Sequence, residues 1–299
     1  MRKVYRTIPI GILCGLFGRS RQAWYDHGKR HDGALLEEGL VLSWVSDIRS
    51  DLPRLGGVKL LQMLGPAMAE HHIHIGRDAF FLMLRNNGLL VQARKRYTTT
   101  TFSHHHFKKW PDLVQRRKAI MAEEIWVSDI TYLRTASGFV YLFLITDAYS
   151  RKIVGYHLGQ TLRASGCIIA LEKAIRERIY PQRPLLHHSD RGIQYCCQEY
   201  TELLQQQGIA ISMTQSGSPY DNAIAERVNG ILKQEFDLYE VFSGYSEATA
   251  KVCRAIALYN NRRPHFSCDM KTPENTHLLD YGKDENTNVK LISYDNKNR

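Results

Sequence analysis

Three acidic side chains occupy positions where a carboxylate needs an explanation. Asp129 lies in the middle of the apolar run IWVSDITYLRT, where burying a charge is costly unless an opposite charge or a hydrogen bond compensates it. Asp190 directly follows a second run, LLHHS, at the end where sheet proteins commonly place functional groups. Glu226 belongs to the helical pattern AIAERVNGILKQE, in which Lys233 shares its face two turns later. Carboxylates of this kind are ligands for divalent cations such as Mg²⁺.

Taken singly, each acid also has a structural interpretation. Asp190 precedes Arg191 and Gly192 and is equally explained as a turn former. A charge such as Glu226 on an isolated helix is usually a solvated surface charge. Carboxylates that converge are different, because they repel one another unless a cation lies among them. Two Mg²⁺ ions about 4 Å apart activate an attacking hydroxyl and stabilise the leaving oxygen of a phosphodiester.

The elements that must position these acids follow from the residue pattern after position 124. Three β-rich runs predict an antiparallel meander that begins with IWVSDITYLRT. A helix, a fourth strand that ends before Asp190, a helix from about Cys197 to Gln207 and a fifth strand precede the helix that carries Glu226. The order βββαβαβα predicts an α/β fold in which helices pack on a mixed sheet, and this order can bring the three acids to one edge.

The charge is distributed unevenly along the chain. Residues 1–120 hold 20 Lys and Arg against 9 Asp and Glu, whereas residues 121–299 hold 20 against 21. A basic front joined to a balanced back predicts a region that binds a polyanion ahead of a domain with another task. Together with the acids, this distribution points to phosphoryl transfer on nucleic acid.

Other features of the composition limit the class of protein. The six cysteines form no CxxC pair, which indicates reduced thiols, and the histidine clusters have no second pair at ligand spacing, which disfavours zinc. The chain has no run of about 18 apolar residues and no signal-peptide pattern. We therefore expect a cytoplasmic protein without membrane contact.

The basic front reads as a small all-helical region. Residues 8–30 predict a short apolar helix, a turn, and a second helix that Ser20 caps and that carries Arg21 and Gln22. This is the shape of a helix-turn-helix, whose second helix enters a major groove. The predicted organisation is a helical DNA-binding region (1–92), a basic linker (93–119), an α/β core (120–279) and a mobile tail (280–299).

Five motifs in this order resemble a known family. They are WVSDIT, HHSDRGIQY, SPYDNAIAERVNGILKQE, YNNRRPH and KTPENTH, and they resemble the catalytic core of transposases of the insertion sequence three family, relatives of retroviral integrases. The resemblance covers about residues 110–278, and the helical front resembles the same family's second-reading-frame protein.

The resemblance implies a fold, a chemistry and a cofactor. The fold would be a ribonuclease H-like mixed five-stranded sheet with helices on both faces. The activity would be that of a DDE-type transposase, which cleaves DNA at element ends and transfers the strand through the released 3′-hydroxyl. Asp129, Asp190 and Glu226 would be the catalytic acids and would hold two Mg²⁺ (or Mn²⁺) ions.

The resemblance also suggests where DNA is bound. Lys233 matches the family's basic position that holds the DNA end, and Tyr220 and Asn222 match the loop before the helix. Related integrases often have a second basic residue one turn after the glutamate, but that position here is Gly230. The remaining predicted DNA contacts are Arg227, Arg262, Arg263, Arg21 and Gln22. Arg262 and Arg263 are equally explained as the charged carboxyl end of a helix.

The predicted partners and the competing functions follow from the same reasoning. Double-stranded DNA is the expected partner, bound by a homo-oligomer in a nucleoid-associated location. Because the front has no long leucine heptad, an upstream-frame helix-turn-helix protein is a candidate partner. The alternatives are a structure-specific nuclease of the same fold and a catalytically inactive DNA-binding regulator.

Overall fold

The computed structural model describes residues 8–92, 109–114, 117–215 and 223–279. The chain divides into two compact units, one formed by Met1–Asp51 with Leu55–Gln92 and the other by Leu52–Arg54 with Ala93–Arg299. The predicted tail (280–299) and most of the predicted linker lie outside the described residues. No helix in the described ranges is long and apolar enough to cross a membrane.

The first unit is helical, and one predicted boundary in it is wrong. Its helices are α1 (Ile10–Leu16), α2 (Arg21–Asp51), α3 (Gly57–Glu70) and α4 (Arg77–Asn86). Ser20 caps α2 as predicted, because its Oγ accepts a hydrogen bond from the Ala23 amide at 3.0 Å. The expected short second helix instead continues for 31 residues. Residues 31–51, which extend the expected helix, contain glycines but no proline. A glycine costs a helix only about 1 kcal/mol, so the helix continues.

The second unit contains the mixed sheet. Its strands are β1 (Ile125–Thr135), β2 (Gly138–Asp147), β3 (Ile153–Gly159), β4 (Leu186–Ser189), β5 (Ala210–Met213) and β6 (Val241–Phe242). The order is β3-β2-β1-β4-β5, with β6 paired to β1. Strands β1, β2 and β3 form the predicted antiparallel meander, while β4 and β5 continue the sheet in parallel. The sheet has six strands rather than the predicted five. Strand β6 was not predicted, because its two residues give no alternating pattern.

Helices cover both faces of this sheet, as predicted. They are α5 (Ala164–Arg176), α6 (Ile193–Cys196), α7 (Gln198–Gln206), α8 (Ala223–Glu235), α9 (Tyr245–Asn261) and α10 (Pro273–Leu278). Side chains alternate along a strand, so Trp126 packs with α5 and α7 in one buried cluster. Ile125 and Val127 point the other way and pack with Ala225 of α8 in a second cluster. Helix α8 therefore lies on the same face as Asp129, two residues beyond Val127.

Candidate active site

Parallel pairing of two central strands brings the two aspartates together. Strand β1 pairs with β4 so that Val127 lies opposite His188. Continuing this register by two residues places Asp129 level with Asp190, which follows the last residue of β4. The two acids lie 61 positions apart in the sequence, and the sheet makes them neighbours.

The carboxyl group of Asp129 is held in place by two hydrogen bonds. Its Oδ1 accepts from the Ile130 amide at 2.9 Å, and its Oδ2 accepts from Asn229 Nδ2 at 2.7 Å. Burial raises the pKa of Asp129 to about 7, and the charges of Asp190 and Glu226 raise it as well, whereas the two hydrogen bonds oppose the shift. Asp129 therefore interacts with both of the other predicted acids, although the three come from separate elements.

Asp190 combines the two roles that its sequence position suggested. Its Oδ1 accepts a hydrogen bond from the Gly192 amide at 2.9 Å, which is the geometry of an Asx turn. A Cβ at position 192 would lie only 3.0 Å from that oxygen, so a glycine lets the turn close tightly. The turn former and the acid that raises the pKa of Asp129 are therefore the same side chain.

Helix α8 contributes one acid, one amide and one amine to this face. Glu226 is exposed in the first turn, and partial burial raises its pKa. Asn229 is one turn later and buried. Lys233 is partly buried, with its Nζ 5.1 Å from the centre of the Tyr132 ring. Burial lowers the pKa of Lys233, and the nearby Asp129 charge opposes this change. The predicted common face of Glu226 and Lys233 is therefore directed towards β1.

The donor set fits a hard divalent cation by its chemistry. Mg²⁺ and Mn²⁺ take carboxylate oxygens, and a cation among these acids would relieve the repulsion that contributes to the raised pKa of Asp129. The described residues nevertheless contain no group of three His, Cys, Asp or Glu side chains close enough to hold one ion. Binding of one ion by all three acids therefore requires a shift of at least one of them.

The other predicted DNA contacts differ in their exposure. Arg227, Arg262, Arg21 and Gln22 are all exposed. The prediction that Arg263 contacts DNA is corrected by the structure. Only 1% of Arg263 is exposed, and its guanidinium donates to both oxygens of Glu235, at 2.7 and 2.6 Å. A side chain enclosed in this way holds α9 to the end of α8 and does not reach a phosphate. Tyr220 and Asn222 lie outside the described residues.

The sequence reasoning missed one residue of this site. Asn229 contacts Asp129 directly, yet it was passed over because asparagine within an apolar helical pattern carries no charge. The signal that identifies it is its spacing, since it lies three residues after Glu226 and four before Lys233, on the face they share.

Comparison with known proteins gives two matches to the family model called "Integrase core domain", over residues 121–219 and 207–273. A 31 kDa protein of the insertion element IS600 from Shigella sonnei is 32% identical over 259 residues, which cover 85% of this chain and 93% of that protein. A putative transposase for IS986/IS6110 from Mycobacterium tuberculosis is 36% identical over 163 residues, covering 52% of this chain and 59% of that protein.

Further similarities extend to another transposase and to solved structures. Transposase InsF for IS3A from Escherichia coli is 36% identical over 150 residues, covering 50% of this chain and 52% of that protein. The catalytic core domain of HTLV-2 integrase, solved in complex with magnesium, is 20% identical at a TM-score of 0.43, covering 53% of this chain and 98% of that one. The chain thus spans about half the length of two of the transposases it matches and nearly all of the IS600 protein.

The two integrase core matches, on a chain with this mixed sheet, define a class, the DDE polynucleotidyl transferases. Within that class, the chain belongs to the transposase family of bacterial insertion elements.

Proposed function

We propose that this chain cleaves DNA at the ends of an insertion element and then joins each end to a target. In the first step water attacks the phosphodiester at the element's end, the P–O3′ bond breaks, and a 3′-hydroxyl is released. In the second step that hydroxyl attacks a phosphodiester of the target, and the target's own 3′-oxygen leaves. The number of phosphodiester bonds is conserved in the second step, and no covalent protein intermediate is needed.

One observation carries this proposal. Asp129 lies on the face of the sheet that α8 covers and level with Asp190, and burial together with the charges of Asp190 and Glu226 raises its pKa to about 7. Acids kept in unfavourable proximity are typical of sites that bind a cation. We assign these three acids as the ligands of two Mg²⁺ or Mn²⁺ ions, which would activate the attacking oxygen and stabilise the leaving one.

The remaining residues of the site have binding roles in this proposal. Lys233, on the same face of α8 as the acid Glu226, would hold a phosphate of the DNA end. Exposed Arg227 and Arg262 would extend that contact, and Arg21 and Gln22 of α2 would contact DNA separately. Tyr220 and Asn222 are retained as predicted contacts from the sequence alone.

The wider assembly is part of the same proposal. Several copies acting on paired DNA ends, an upstream-frame helix-turn-helix partner and a nucleoid-associated position in the cytoplasm all follow from the family rather than from a contact in this chain. The number of copies is tested by purifying the chain with duplex DNA that carries the element's end and measuring the mass of the complex.

The test of the proposed function is cleavage and joining of a labelled duplex that carries the element's end, with Mg²⁺ present. Glu226→Gln keeps the shape of the side chain and removes the charge, and we expect it to bind DNA normally while both steps fall at least about 100-fold. The matched control is Glu240→Gln, which removes the same charge from an exposed turn. It should retain both steps.

Three other results would each contradict the proposal in a different way. Cleavage without joining by the unchanged protein would favour the nuclease. Binding without cleavage in either Mg²⁺ or Mn²⁺ would favour the inactive regulator. Equal activity of Glu226→Gln and Glu240→Gln would remove Glu226 from the site.

A further inference from the structure

Asn229 connects helix α8 to the central strand. Its side chain is 6% exposed, and its Nδ2 donates to Oδ2 of Asp129 at 2.7 Å. Its Oδ1 is buried and has no hydrogen-bond partner among the described residues. The amide is therefore satisfied on one side only, and the satisfied side faces the acid.

Packing alone does not explain an asparagine at this position. The neighbouring positions Val228, Ile231 and Leu232 of α8 are buried and apolar. A buried carbonyl oxygen without a donor carries a desolvation penalty, which an apolar side chain of similar shape would avoid. Leucine would thus suit the helix better, unless the contact with Asp129 is what the position provides.

The contact restrains the acid and the helix together. With Ile130 donating to Oδ1 and Asn229 donating to Oδ2, both oxygens of Asp129 are held, and the plane of the carboxylate is set. Glu226 lies three residues before Asn229 on the same face of α8. A hydrogen bond that fixes the rotation of α8 against β1 also fixes the position of the Glu226 backbone relative to Asp129.

We propose that Asn229 is a positioning residue of the site, which orients the Asp129 carboxylate and holds α8 in register with β1, so that a divalent cation binds more tightly. This inference rests on the proposed function, because it assigns Asn229 a task only if Asp129 is a metal ligand. Residues that hydrogen-bond a ligand side chain in this way typically change metal affinity 10- to 100-fold when they are removed.

The test is Mn²⁺ binding to the full chain, measured by calorimetry and by the electron paramagnetic resonance signal of free Mn²⁺. Asn229→Leu should bind Mn²⁺ about 10- to 100-fold more weakly than the unchanged protein. Its thermal unfolding in EDTA should be unchanged or shifted upwards, because the unsatisfied oxygen is gone. Raising the Mg²⁺ concentration should restore much of the DNA cleavage that Asn229→Leu loses.

Asn260 provides the matched control for a buried asparagine with a structural role. It accepts from the Ile153 amide and donates to the Ile153 carbonyl, both at 2.9 Å, so its amide is satisfied on both sides. Asn260→Leu should lower the thermal unfolding midpoint and leave the Mn²⁺ affinity of the folded protein unchanged. Asn229→Ala, which removes the amide without adding bulk, should match Asn229→Leu in Mn²⁺ affinity.

The outcomes separate this inference from the proposed function. If Asp129→Asn binds Mn²⁺ as the unchanged protein does, Asp129 is not a ligand, and both proposals fail. If Asp129→Asn loses Mn²⁺ binding but Asn229→Leu and Asn229→Ala keep it, the metal site stands and the positioning role is refuted. A lower unfolding midpoint with unchanged affinity would make Asn229 a structural residue like Asn260, which also refutes it.

Discussion

Two regions along strand β1 bring acidic side chains together, with opposite electrostatic results. Near its start lies an ion-pair cluster formed by Glu123, Asp147, Arg178 and His277. Further along lies the carboxylate site, formed by Asp129, Asp190 and Glu226. In the ion-pair cluster a cation lies beside a buried acid, whereas in the carboxylate site burial and the charges of two other acids act on Asp129.

The ion-pair cluster compensates its charges almost completely. Arg178 Nε lies 2.8 Å from Glu123 Oε2, and the Ile179 amide donates to Oε1 at 2.7 Å. Burial alone would raise the pKa of Glu123, but the nearby His277 and the hydrogen bond from Arg178 lower it overall. Asp147 accepts from the Glu123 amide and from both the amide and the hydroxyl of Ser150, all at 2.7 Å. These bonds tie the start of β1 to β2 and α10.

The difference shows that burial of an acid is not by itself a sign of function. Glu123 is more deeply buried than Asp129, yet its pKa is lowered while that of Asp129 is raised to about 7. A folded protein that keeps acids close to one another gives up stability, and such sites are often functional. We therefore interpret the ion-pair cluster as structural and the carboxylate site as functional.

Removal of the cation from the ion-pair cluster has the largest expected effect. Arg178→Met leaves Glu123 buried without its partner, and we expect the free energy of unfolding to fall by about 3–5 kcal/mol. Denaturation with urea at pH 7 measures this change. Arg176→Met, two residues earlier and exposed, is the control and should change stability by less than about 0.5 kcal/mol. A loss below about 1 kcal/mol for Arg178→Met would mean that the ion-pair cluster does not differ from the carboxylate site in its contribution to stability.

Neutralising an acid of the carboxylate site should raise the free energy of unfolding, whereas Arg178→Met lowers it. Because the folded-state pKa of Asp129 is raised from 3.8 to about 7, the stability associated with its proton is present below about pH 4 and is lost as the pH rises through 7. In EDTA at pH 8, Asp129→Asn should therefore be more stable than the unchanged protein by about 1–3 kcal/mol, a discounted figure for a partly exposed group. The gain should be small at pH 4.

Mg²⁺ sharpens this second prediction. A cation that binds only the folded protein should restore the stability of the unchanged protein at pH 8 and should leave Asp129→Asn unaffected. Thermal unfolding with EDTA or with Mg²⁺ measures both effects. If Asp129→Asn is less stable than the unchanged protein at pH 8 in EDTA, the ionised Asp129 carboxylate does not destabilise the folded protein.

The smallest expected effect comes from the histidine of the ion-pair cluster. Burial would lower the pKa of His277, but the carboxylates of Asp147 and Glu123, 3.8 and 3.7 Å from its ring nitrogens, raise it overall. The stability from protonated His277 is therefore fully present below pH 6.5 and is lost as the pH rises through the raised value. His277→Gln should cost about 1–2 kcal/mol at pH 6 and distinctly less at pH 9, by urea denaturation, with no response to Mg²⁺. An equal cost at both pH values would mean that His277 acts through packing alone.

Local pattern was sufficient to predict the elements of the core. The run IWVSDITYLRT coincides with β1, and the helix that carries Glu226 begins within one residue of its expected start. These features depend on alternation, helical spacing and turn residues, which are written in neighbouring positions. Strand β6 escaped prediction because two residues make no period, and the full length of α2 escaped it because the second helix was expected only within residues 8–30.

The sequence could not show that residues of the same type have different burial and different partners. Arg262 and Arg263 are adjacent and chemically identical, but Arg262 is exposed and Arg263 is enclosed around Glu235. Asn229 and Asn260 are both buried, and only the structure shows that Asn229 contacts an acid while Asn260 binds backbone. Burial and partner depend on which element packs opposite, and that element is distant in the sequence.

By itself, the sequence determined the order of the longer strands of the core and the chain's basic front, and it singled out three acids as candidates, because these are properties of composition and short-range spacing. The tertiary structure decided which acids are compensated. Only the pairing of β1 with β4 and the packing of α8 on β1 place Asp129, Asp190 and Glu226 within range of one another, because electrostatic interaction depends on distance in space.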